Sequence, residues 1–529
     1  GFPIREAWLG FTNKKEKISR AVNILLQKKM YKDKEYITHK EVITNTEWNP
    51  HNRWKKNRMN IGLRIITRHP LGRELIEDKH NLSHSMMISR KIYGPPGTGK
   101  TTKLINYAKT FYKLGTPLDR IGYFAFTKKA ANEAVNRMLD AYKHLQRKDL
   151  KHFRTLHSLA FNRLGMKKSE VMQDEHYEDI GKNLGIEVTV YSDGQETTGF
   201  IDSNSEYFNL INAARIKGTS TDRKKDIEDE YNTGMYSPDL DKRLLNILSD
   251  ELNNYKDAFK LKDFTDMIEK FNVAEMCPKY DIVFIDEAQD LSPVQWKMVD
   301  IIRENSKYVI LAGDDDQAIY GWAGADVKKF QEEPSKKDIV LPQSHRVPKQ
   351  VQDIANKILD RIPDERRIKK HWKAREEEGC VDRITAIEDA PLHEGDWLIL
   401  ARTNDRLNKI KPILRDMGIY FQFKKGRKSY KATLFKSIVN YTRWADKKDK
   451  LSLTEIKDIF DYAPYDRFEG KEERLYDLKE FGFSNTDRWF DVFTVDPEEC
   501  LYIREMLRRK EELSKDARVQ LSTIHSAKG

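Results

Sequence analysis

The 529-residue chain has few cysteines and no long apolar run. Its three cysteines, Cys277, Cys380 and Cys500, lie far apart and form no CxxC pair, which excludes a disulfide-rich secreted domain and a cysteine-based zinc site. No apolar run approaches the roughly 18 residues that a membrane-spanning helix needs. We therefore expect a soluble protein with reduced thiols, located in the cytoplasm of a bacterium or, for a viral protein, of the host.

The positive charge of the chain is concentrated near its N-terminus. Residues 1–90 contain 19 Lys and Arg against 9 Asp and Glu, which gives +10 of the net charge of +11. A local excess of this size favours a polyanion as partner, and a solvated charged face is the alternative. The length is too great for one compact core and predicts three or four domains.

Residues 1–87 are predicted to form a basic, mostly helical module, for which a winged helix is one candidate. A helix of such a module would lay its basic face on phosphates or in a groove of a duplex. The basic residues of the second predicted helix are Arg53, Lys55, Lys56 and Arg58, beside Trp54.

From about residue 88, short apolar runs with polar tips alternate with helix-compatible stretches. Examples are RIGYFAFT, YDIVFID, YVILAGD and DWLILART. Buried strands separated by helices indicate parallel α/β sheets, which bind ligands at the carboxyl ends of their strands. Residues 165–265 and 445–517, approximately, lack this pattern, and we predict that both are insertions.

The run IYGPPGTGKTT, residues 92–102, fits the phosphate-loop pattern GxxxxGK[ST]. Its glycines allow backbone N–H groups to surround phosphate oxygens, and the following helix adds its positive N-terminus. Lys100 is expected to bridge the β- and γ-phosphates of a nucleotide, and Thr101 to place its hydroxyl on Mg²⁺. The predicted nucleotide-binding residues of the loop are Gly94, Pro95, Pro96, Gly97, Thr98, Gly99, Lys100, Thr101 and Thr102.

The run YDIVFIDEAQD, residues 280–290, ends an apolar strand with two acids. Asp286 is expected to hold Mg²⁺, and Glu287 to polarise the attacking water, because phosphoryl transfer needs charge neutralisation and an oriented nucleophile. Two adjacent acids could instead form a solvated turn, but the phosphate loop upstream favours one site for ATP and Mg²⁺.

With several further motifs, these two runs resemble those of superfamily 1 helicases of the UvrD/Rep type. The motifs follow in the family's order: FAFTKKAANEA (124–134), FRTLHSLAF (153–161), the family's third motif GDDDQAIYGWAGAD (313–326), its fourth motif LPQSHR (341–346) and its fifth motif STIHSAKG (522–529). The resemblance implies an α/β fold of two RecA-like lobes with helical insertions and ATP between the lobes. The first lobe would span 88–340 and the second 341–529.

The resemblance also implies roles around the nucleotide. Gln317 would sense the γ-phosphate, and Arg346 would approach it from the second lobe to stabilise the charge of the transition state. His345 stands where the family has a tyrosine that stacks on adenine. The family's adenine-reading glutamine has no counterpart, since no Gln occurs between Lys28 and Lys100.

A track for single-stranded DNA is implied as well, because aromatic side chains stack on any base. Phe126 and Trp322 are the leading candidates for stacking, with Tyr320 behind them. Core packing is the alternative for the aromatic residues, and a structural role for the histidines. The candidates for bonds to phosphates or bases are Thr127, Thr155, His157, Thr523 and His525.

The activity that the resemblance implies is an ATP-dependent helicase or translocase. It would move 3′ to 5′ on single-stranded DNA and at duplex junctions, in DNA repair or replication. Two alternatives stay open, the motor part of a helicase–nuclease and a DNA-binding remodeller that uses ATP only as a switch. RNA also stays open as a substrate, because stacking does not read the 2′-hydroxyl.

The ends of the chain suggest a fragment. In this family the fifth motif is followed by the rest of the second lobe and by a sixth motif whose arginine reaches the γ-phosphate. The chain begins at Gly1 and ends at Gly529 inside the fifth motif. We therefore expect an incomplete second lobe and, from this chain, slow ATP hydrolysis, since such an arginine is worth about 10³–10⁵ in rate.

Overall fold

The computed structural model describes residues 88–528, apart from 192–201, 219–221, 275, 336–337, 424–425, 465–467 and 469. The basic module predicted at 1–87 lies outside the described residues. None of the helices in the described part is long and apolar enough to cross a membrane.

The described residues fall into two compact units, one ending at Val381 and the other beginning at Asp382. The predicted boundary between 340 and 341 therefore lies inside the first unit. The physical reason is that hydrogen bonds tie this stretch to the first unit: Ser344 Oγ donates to the Pro96 carbonyl at 2.7 Å, and Ile368 N donates to Asp315 Oδ2 at 2.7 Å.

The first unit is built on a parallel sheet of six strands, in the order β3-β2-β6-β7-β1-β8. Strands β2 and β6 are apolar almost throughout, as expected of central strands that are covered on both faces. A small antiparallel hairpin, β4–β5, lies in the insertion. The strands are β1 (Ile88–Tyr93), β2 (Ile121–Ala125), β3 (Phe153–Thr155), β4 (Val190–Tyr191), β5 (Asp202–Ser203), β6 (Tyr280–Ile285), β7 (Ser306–Gly313) and β8 (Asp338–Val340).

Helices cover both faces of this sheet. Successive strand residues point to opposite faces, so Tyr93 and Val283 enter one core while Ile92 and Ile282 enter the other. The helices of the sheet layers are Lys100–Lys113, Lys128–Ala141, Leu156–Arg163, Phe264–Ala274, Pro293–Glu304 and Val327–Glu332. The helix Lys349–Leu359 belongs to the same unit but contains no buried residue.

The predicted insertion at about 165–265 is helical in its described part and has a core of its own. Ile180, Phe208 and Leu248 are buried there. Its helices are Asp174–Asn183, Glu206–Lys217, Arg223–Tyr231 and Lys242–Phe259.

The second unit contains a parallel sheet of three strands in the order β10-β11-β9: β9 (Trp397–Ala401), β10 (Phe421–Phe423) and β11 (Val519–Thr523). Its core includes Leu414, Tyr441 and Ile503. The helices are Asn404–Asp416, Ala432–Lys447, Leu453–Phe460, Trp489–Val492, Pro497–Arg508 and Ile524–Ala527. The third, fourth and fifth of these lie within the stretch predicted as an insertion, at about 445–517. The predicted class, α/β with parallel sheets and helical insertions, is confirmed.

Candidate active site and nucleic-acid interface

The phosphate loop connects β1 to the helix Lys100–Lys113, as its sequence context predicts. Gly97 and Gly99 have φ angles of +72° and +83°, which L side chains rarely adopt, so the loop's curvature depends on these glycines. Gly94 has no room for a side chain either, since a Cβ there would lie 1.8 Å from Lys100 Cγ. The loop thus directs the first turn of the helix, whose N–H groups have no partner within the helix, toward the strand ends.

The Lys100 ammonium is buried between the phosphate loop and the two acids, Asp286 and Glu287, that follow β6. Its Nζ donates to the Gly94 carbonyl at 2.9 Å and lies 3.6 Å from Glu287 Oε1. This cation therefore lies beside both the loop and the predicted catalytic acid, as phosphate chemistry requires.

Asp286 lies at the end of β6, with its side chain almost fully buried. Its Oδ2 accepts two hydrogen bonds, from Thr101 Oγ1 and from Tyr123 OH, each at 2.8 Å. Burial, followed by the neighbouring Glu287 carboxylate, raises the pKa of Asp286 to about 6, although both hydroxyls and Lys100 act in the opposite direction. A divalent cation at this position would relieve the unfavourable burial of the charge.

Glu287 follows at once in a strained backbone conformation, with a φ of 56°. A positive φ at a residue with a side chain is uncommon and is often found at functional sites. The Glu287 carboxylate accepts a hydrogen bond from Gln289 Nε2 at 2.6 Å. Gln289 is fully buried, and its Oε1 accepts from Asp314 N at 2.9 Å. Gln289 therefore connects the acidic strand end to the third motif.

The third motif reaches the site because β1 and β7 pair with Tyr93 opposite Gly313. Gly94 N donates to the Gly313 carbonyl at 3.0 Å, so the phosphate loop and the third motif start side by side. Gln317 Nε2 donates to Asp314 Oδ2. The predicted γ-phosphate sensor is thus held by the same aspartate that Gln289 contacts.

The three consecutive acids of this motif are neutralised from a segment that the sequence did not point to. Lys370 Nζ lies 3.0 Å from Asp314 Oδ1 and also pairs with Asp315. The same ammonium is 2.9 Å from Asp316 Oδ2, which Arg367 also binds through two nitrogens at 2.8 and 2.9 Å. Burial alone would lower the pKa of Lys370, but the carboxylates outweigh it and raise that pKa.

The fourth motif lies directly on the phosphate loop. His345 N donates to the Gly97 carbonyl at 2.9 Å, and Ser344 Oγ binds the Pro96 carbonyl. The approach is so close that a Cβ at Gly97 would lie 2.4 Å from Arg346 Cβ. We expected Arg346 to approach from the second lobe, but its backbone belongs to the first unit. Its role at the γ-phosphate stays a prediction.

These residues fit a magnesium nucleotide. Mg²⁺ in phosphate-transfer sites takes one or two protein oxygens, with substrate phosphates and water completing the octahedron. Thr101 Oγ1 and Asp286 Oδ2 are such a pair, and the glycine-dependent loop beside them suits the phosphates. Groups of three or more His, Cys, Asp or Glu side chains that could form an all-protein metal site are absent from the described residues.

The three threonines predicted on the DNA track share a structural role. Each follows or ends a strand and caps the next helix: Thr127 accepts from Ala130 N at 3.1 Å, and Thr155 accepts from Ser158 N at 3.2 Å. In the second unit, Thr523 accepts from Ser526 N at 3.1 Å. Capping explains why threonine suits these positions, and their contact with nucleic acid stays a prediction.

The aromatic candidates differ in burial. Phe126 is only 5% exposed and belongs to the core, with its ring centre 5.5 Å from that of Tyr320. Trp322 is half-buried and packs beside Ala213 and Ile216 of the helical insertion. Of the two predicted leading stackers, Trp322 is therefore the one with surface available to a base.

The two histidine candidates also differ. His157 is buried, with its ring 5.5 Å from that of Phe264 in an edge-on arrangement, and burial lowers its pKa to about 4. His157 is therefore a histidine of the protein core that is neutral at physiological pH. His525 is half-buried in the helix Ile524–Ala527 of the second unit.

Three residues of the site were not predicted from the sequence: Tyr123, Gln289 and Lys370. Tyr123 reads as one more apolar residue of a buried strand, and Lys370 is one of many lysines in a charged stretch. Gln289 lies inside the matched run DEAQD, so its position next to Glu287 was the available signal.

Comparison with known proteins agrees with this geometry. Residues 76–338 match the family model of the UvrD/REP helicase N-terminal domain. The ATP-dependent DNA helicase PcrA of Staphylococcus epidermidis is 28% identical over 227 residues, which cover 37% of this chain and 31% of that protein. PcrA of Staphylococcus aureus is 27% identical with the same coverage. The match therefore spans less than a third of the length of these relatives.

Proposed function

Because the chain belongs, through residues 76–338, to the UvrD/REP helicases, as its motifs predicted, we propose that it is the motor of an ATP-dependent DNA helicase. It would couple ATP hydrolysis to 3′–5′ movement along single-stranded DNA, up to and through duplex junctions, in the cytoplasm of a cell that repairs or replicates DNA. The observation that carries this proposal is the convergence of Lys100, Thr101, Asp286 and Glu287 at the carboxyl ends of β1 and β6.

Each of these groups has a distinct task in the proposed reaction. Lys100 and the loop N–H groups hold the phosphates by charge and hydrogen bonds. Thr101 and Asp286 would hold Mg²⁺, which when bound neutralises charge on the phosphates. Glu287, kept in place by Gln289, orients the attacking water.

Coupling to movement would use the residues that follow the strand ends. Gln317 binds Asp314, which follows the strand residue bonded to the phosphate loop, and the fourth motif bonds to that loop directly. Both can therefore respond to the presence of a γ-phosphate. The third motif also carries Tyr320 and Trp322, which are proposed to stack on bases. A response to the γ-phosphate that changes the affinity for DNA is what makes a cycle of binding and hydrolysis directional.

The first test is ATP hydrolysis with and without single-stranded DNA, for the unmodified protein and for Glu287→Gln. The proposal expects stimulation by DNA and its loss in Glu287→Gln, whereas the exposed control Glu332→Gln should behave as the unmodified protein. A rate indifferent to DNA would remove the DNA track. Tight, ATP-dependent DNA binding without hydrolysis would favour the remodeller, and equal stimulation by RNA would leave the substrate unselective.

Direction is tested separately by displacement of streptavidin from biotin at either end of an oligonucleotide. Movement from 3′ to 5′ displaces it from the 5′ end. Displacement only from the 3′ end would contradict the proposed direction and leave the motor assignment intact.

A further inference from the structure

Tyr123 places a hydroxyl on the predicted magnesium ligand from inside the sheet. Its side chain is fully buried on β2, and its OH donates to Asp286 Oδ2 at 2.8 Å. The oxygen that accepts this bond is the one that accepts from Thr101 Oγ1. The other carboxylate oxygen, Oδ1, accepts from Glu287 N at 3.1 Å. Both oxygens of Asp286 are therefore fixed.

The Tyr123 ring has little freedom to move away. Strands β2 and β6 pair with Tyr123 opposite Phe284, and Asp286 comes two residues after that partner. The ring stacks on Phe153, with centres 5.6 Å apart and an angle of 6° between planes. Sheet register and aromatic packing thus determine where the hydroxyl points.

The hydroxyl is a persistent donor. An ionised carboxylate only accepts hydrogen bonds, so the proton of the bond to Asp286 Oδ2 comes from the Tyr123 phenol. Phenylalanine would fill the same apolar space without the bond. A buried hydroxyl needs a partner, but nothing in core packing requires that partner to be Asp286.

We propose that Tyr123 is a positioning residue that fixes the Asp286 carboxylate in the orientation required to bind Mg²⁺ together with a nucleotide. This rests on the proposed function, because it assigns Asp286 to the metal. Partners of this kind orient a ligand so that its rotational freedom is already lost before the metal binds, and their removal typically weakens metal binding about 10–100-fold.

The test compares Tyr123→Phe with Tyr280→Phe. Tyr280 is a matched control, since it is also buried in the same sheet and its hydroxyl is bonded at 3.2 Å, but to His152 Nδ1. The measurement is the affinity for a fluorescent ADP analogue at increasing MgCl₂, and again in EDTA. We expect Tyr123→Phe to need about 10–100-fold more Mg²⁺ for the same effect, with unchanged affinity in EDTA, and Tyr280→Phe to match the unmodified protein.

The possible results separate the two proposals. If the unmodified protein binds the analogue better with Mg²⁺ and Tyr123→Phe shows the same Mg²⁺ dependence, the role of Tyr123 is refuted and the nucleotide site stands. If the unmodified protein binds the analogue equally well with and without Mg²⁺, the assignment of Asp286 to the metal is refuted, and with it the role of Tyr123. If it does not bind the analogue at all, the nucleotide site itself is refuted. If Tyr123→Phe loses affinity equally in EDTA, or both variants lose it equally, the hydroxyl supports the fold and does not position the metal ligand. Thermal unfolding of each variant shows that the protein compared is folded.

Discussion

Lys370→Met should strongly destabilise the first unit. The Lys370 side chain is 1% exposed, and the side chains of Asp314 and Asp315 are 0% exposed, so none of the three charges is solvated. Methionine fills similar space without the charge. Removing one partner of a buried ion pair leaves an uncompensated charge, which costs about 3–5 kcal/mol.

The remaining contacts do not replace the lost cation. Arg367 binds Asp316, and Asp315 keeps hydrogen bonds from Ile368 N and Gln331 Nε2. For Asp314, the cationic partner in contact is Lys370. Burial already raises the pKa of Asp314, and loss of Lys370 would raise it further. The loss should therefore lie near the upper part of the range at neutral pH and become smaller in acid, where the carboxylates are protonated.

Native-state hydrogen exchange of the β7 amides, Ser306–Gly313, is a suitable assay, because it reports the opening free energy of this unit without assuming that the whole chain unfolds in one step.

The neighbouring Lys369→Met is the control. The side chains of Lys369 and Asp364 are 62% and 70% exposed, so loss of this ion pair should cost about 0–1 kcal/mol. Lys370→Met combined with Asp315→Asn should recover part of the loss. A cost below about 1 kcal/mol for Lys370→Met, equal to that of the control, would refute the argument from buried charge.

Three further predictions concern the site and its surroundings. Lys100→Ala should abolish ATP hydrolysis and weaken nucleotide binding, because it removes the cation beside the phosphate loop; retained turnover in a hydrolysis assay would mean that the loop is misassigned. Trp322→Ala should weaken binding of single-stranded DNA by about 1–3 kcal/mol in a fluorescence titration, and an unaltered dissociation constant would remove Trp322 from the track. His157→Gln should make stability depend less on pH in acid. The imidazole of His157 takes up a proton near pH 6.5 in the unfolded chain and only near pH 4 in the folded chain. The neutral imidazole therefore contributes stability above pH 6.5, and up to about 3 kcal/mol of it is lost on acidification. Identical pH profiles of the two proteins in urea unfolding would contradict that assignment.

The position of the fourth motif changes how the predicted arginine is understood. Arg346 was expected to act across two lobes, yet hydrogen bonds from Ser344 and His345 hold its segment on the phosphate loop of its own unit. The loop and the segment that carries Arg346 can therefore respond together to a bound phosphate.

The sequence by itself determined which residues form the candidate nucleotide site. Lys100 and Thr101 lie in one short run with glycines at fixed spacing, and Asp286 and Glu287 end an apolar strand. Each feature is local, since a loop between a strand and a helix is specified by neighbouring residues. Parallel strands align their carboxyl ends, so the meeting of the two runs could also be predicted.

Only the tertiary structure decided which side chains support that chemistry and which candidates are accessible. Tyr123 contacts Asp286 because of strand register, and Lys370 meets Asp314 across 55 intervening positions, so neither contact leaves a local pattern. Burial likewise separates Phe126 from Trp322, although both are aromatic residues in matched motifs. Register and burial depend on how distant segments pack, and residue type and spacing alone do not specify that packing.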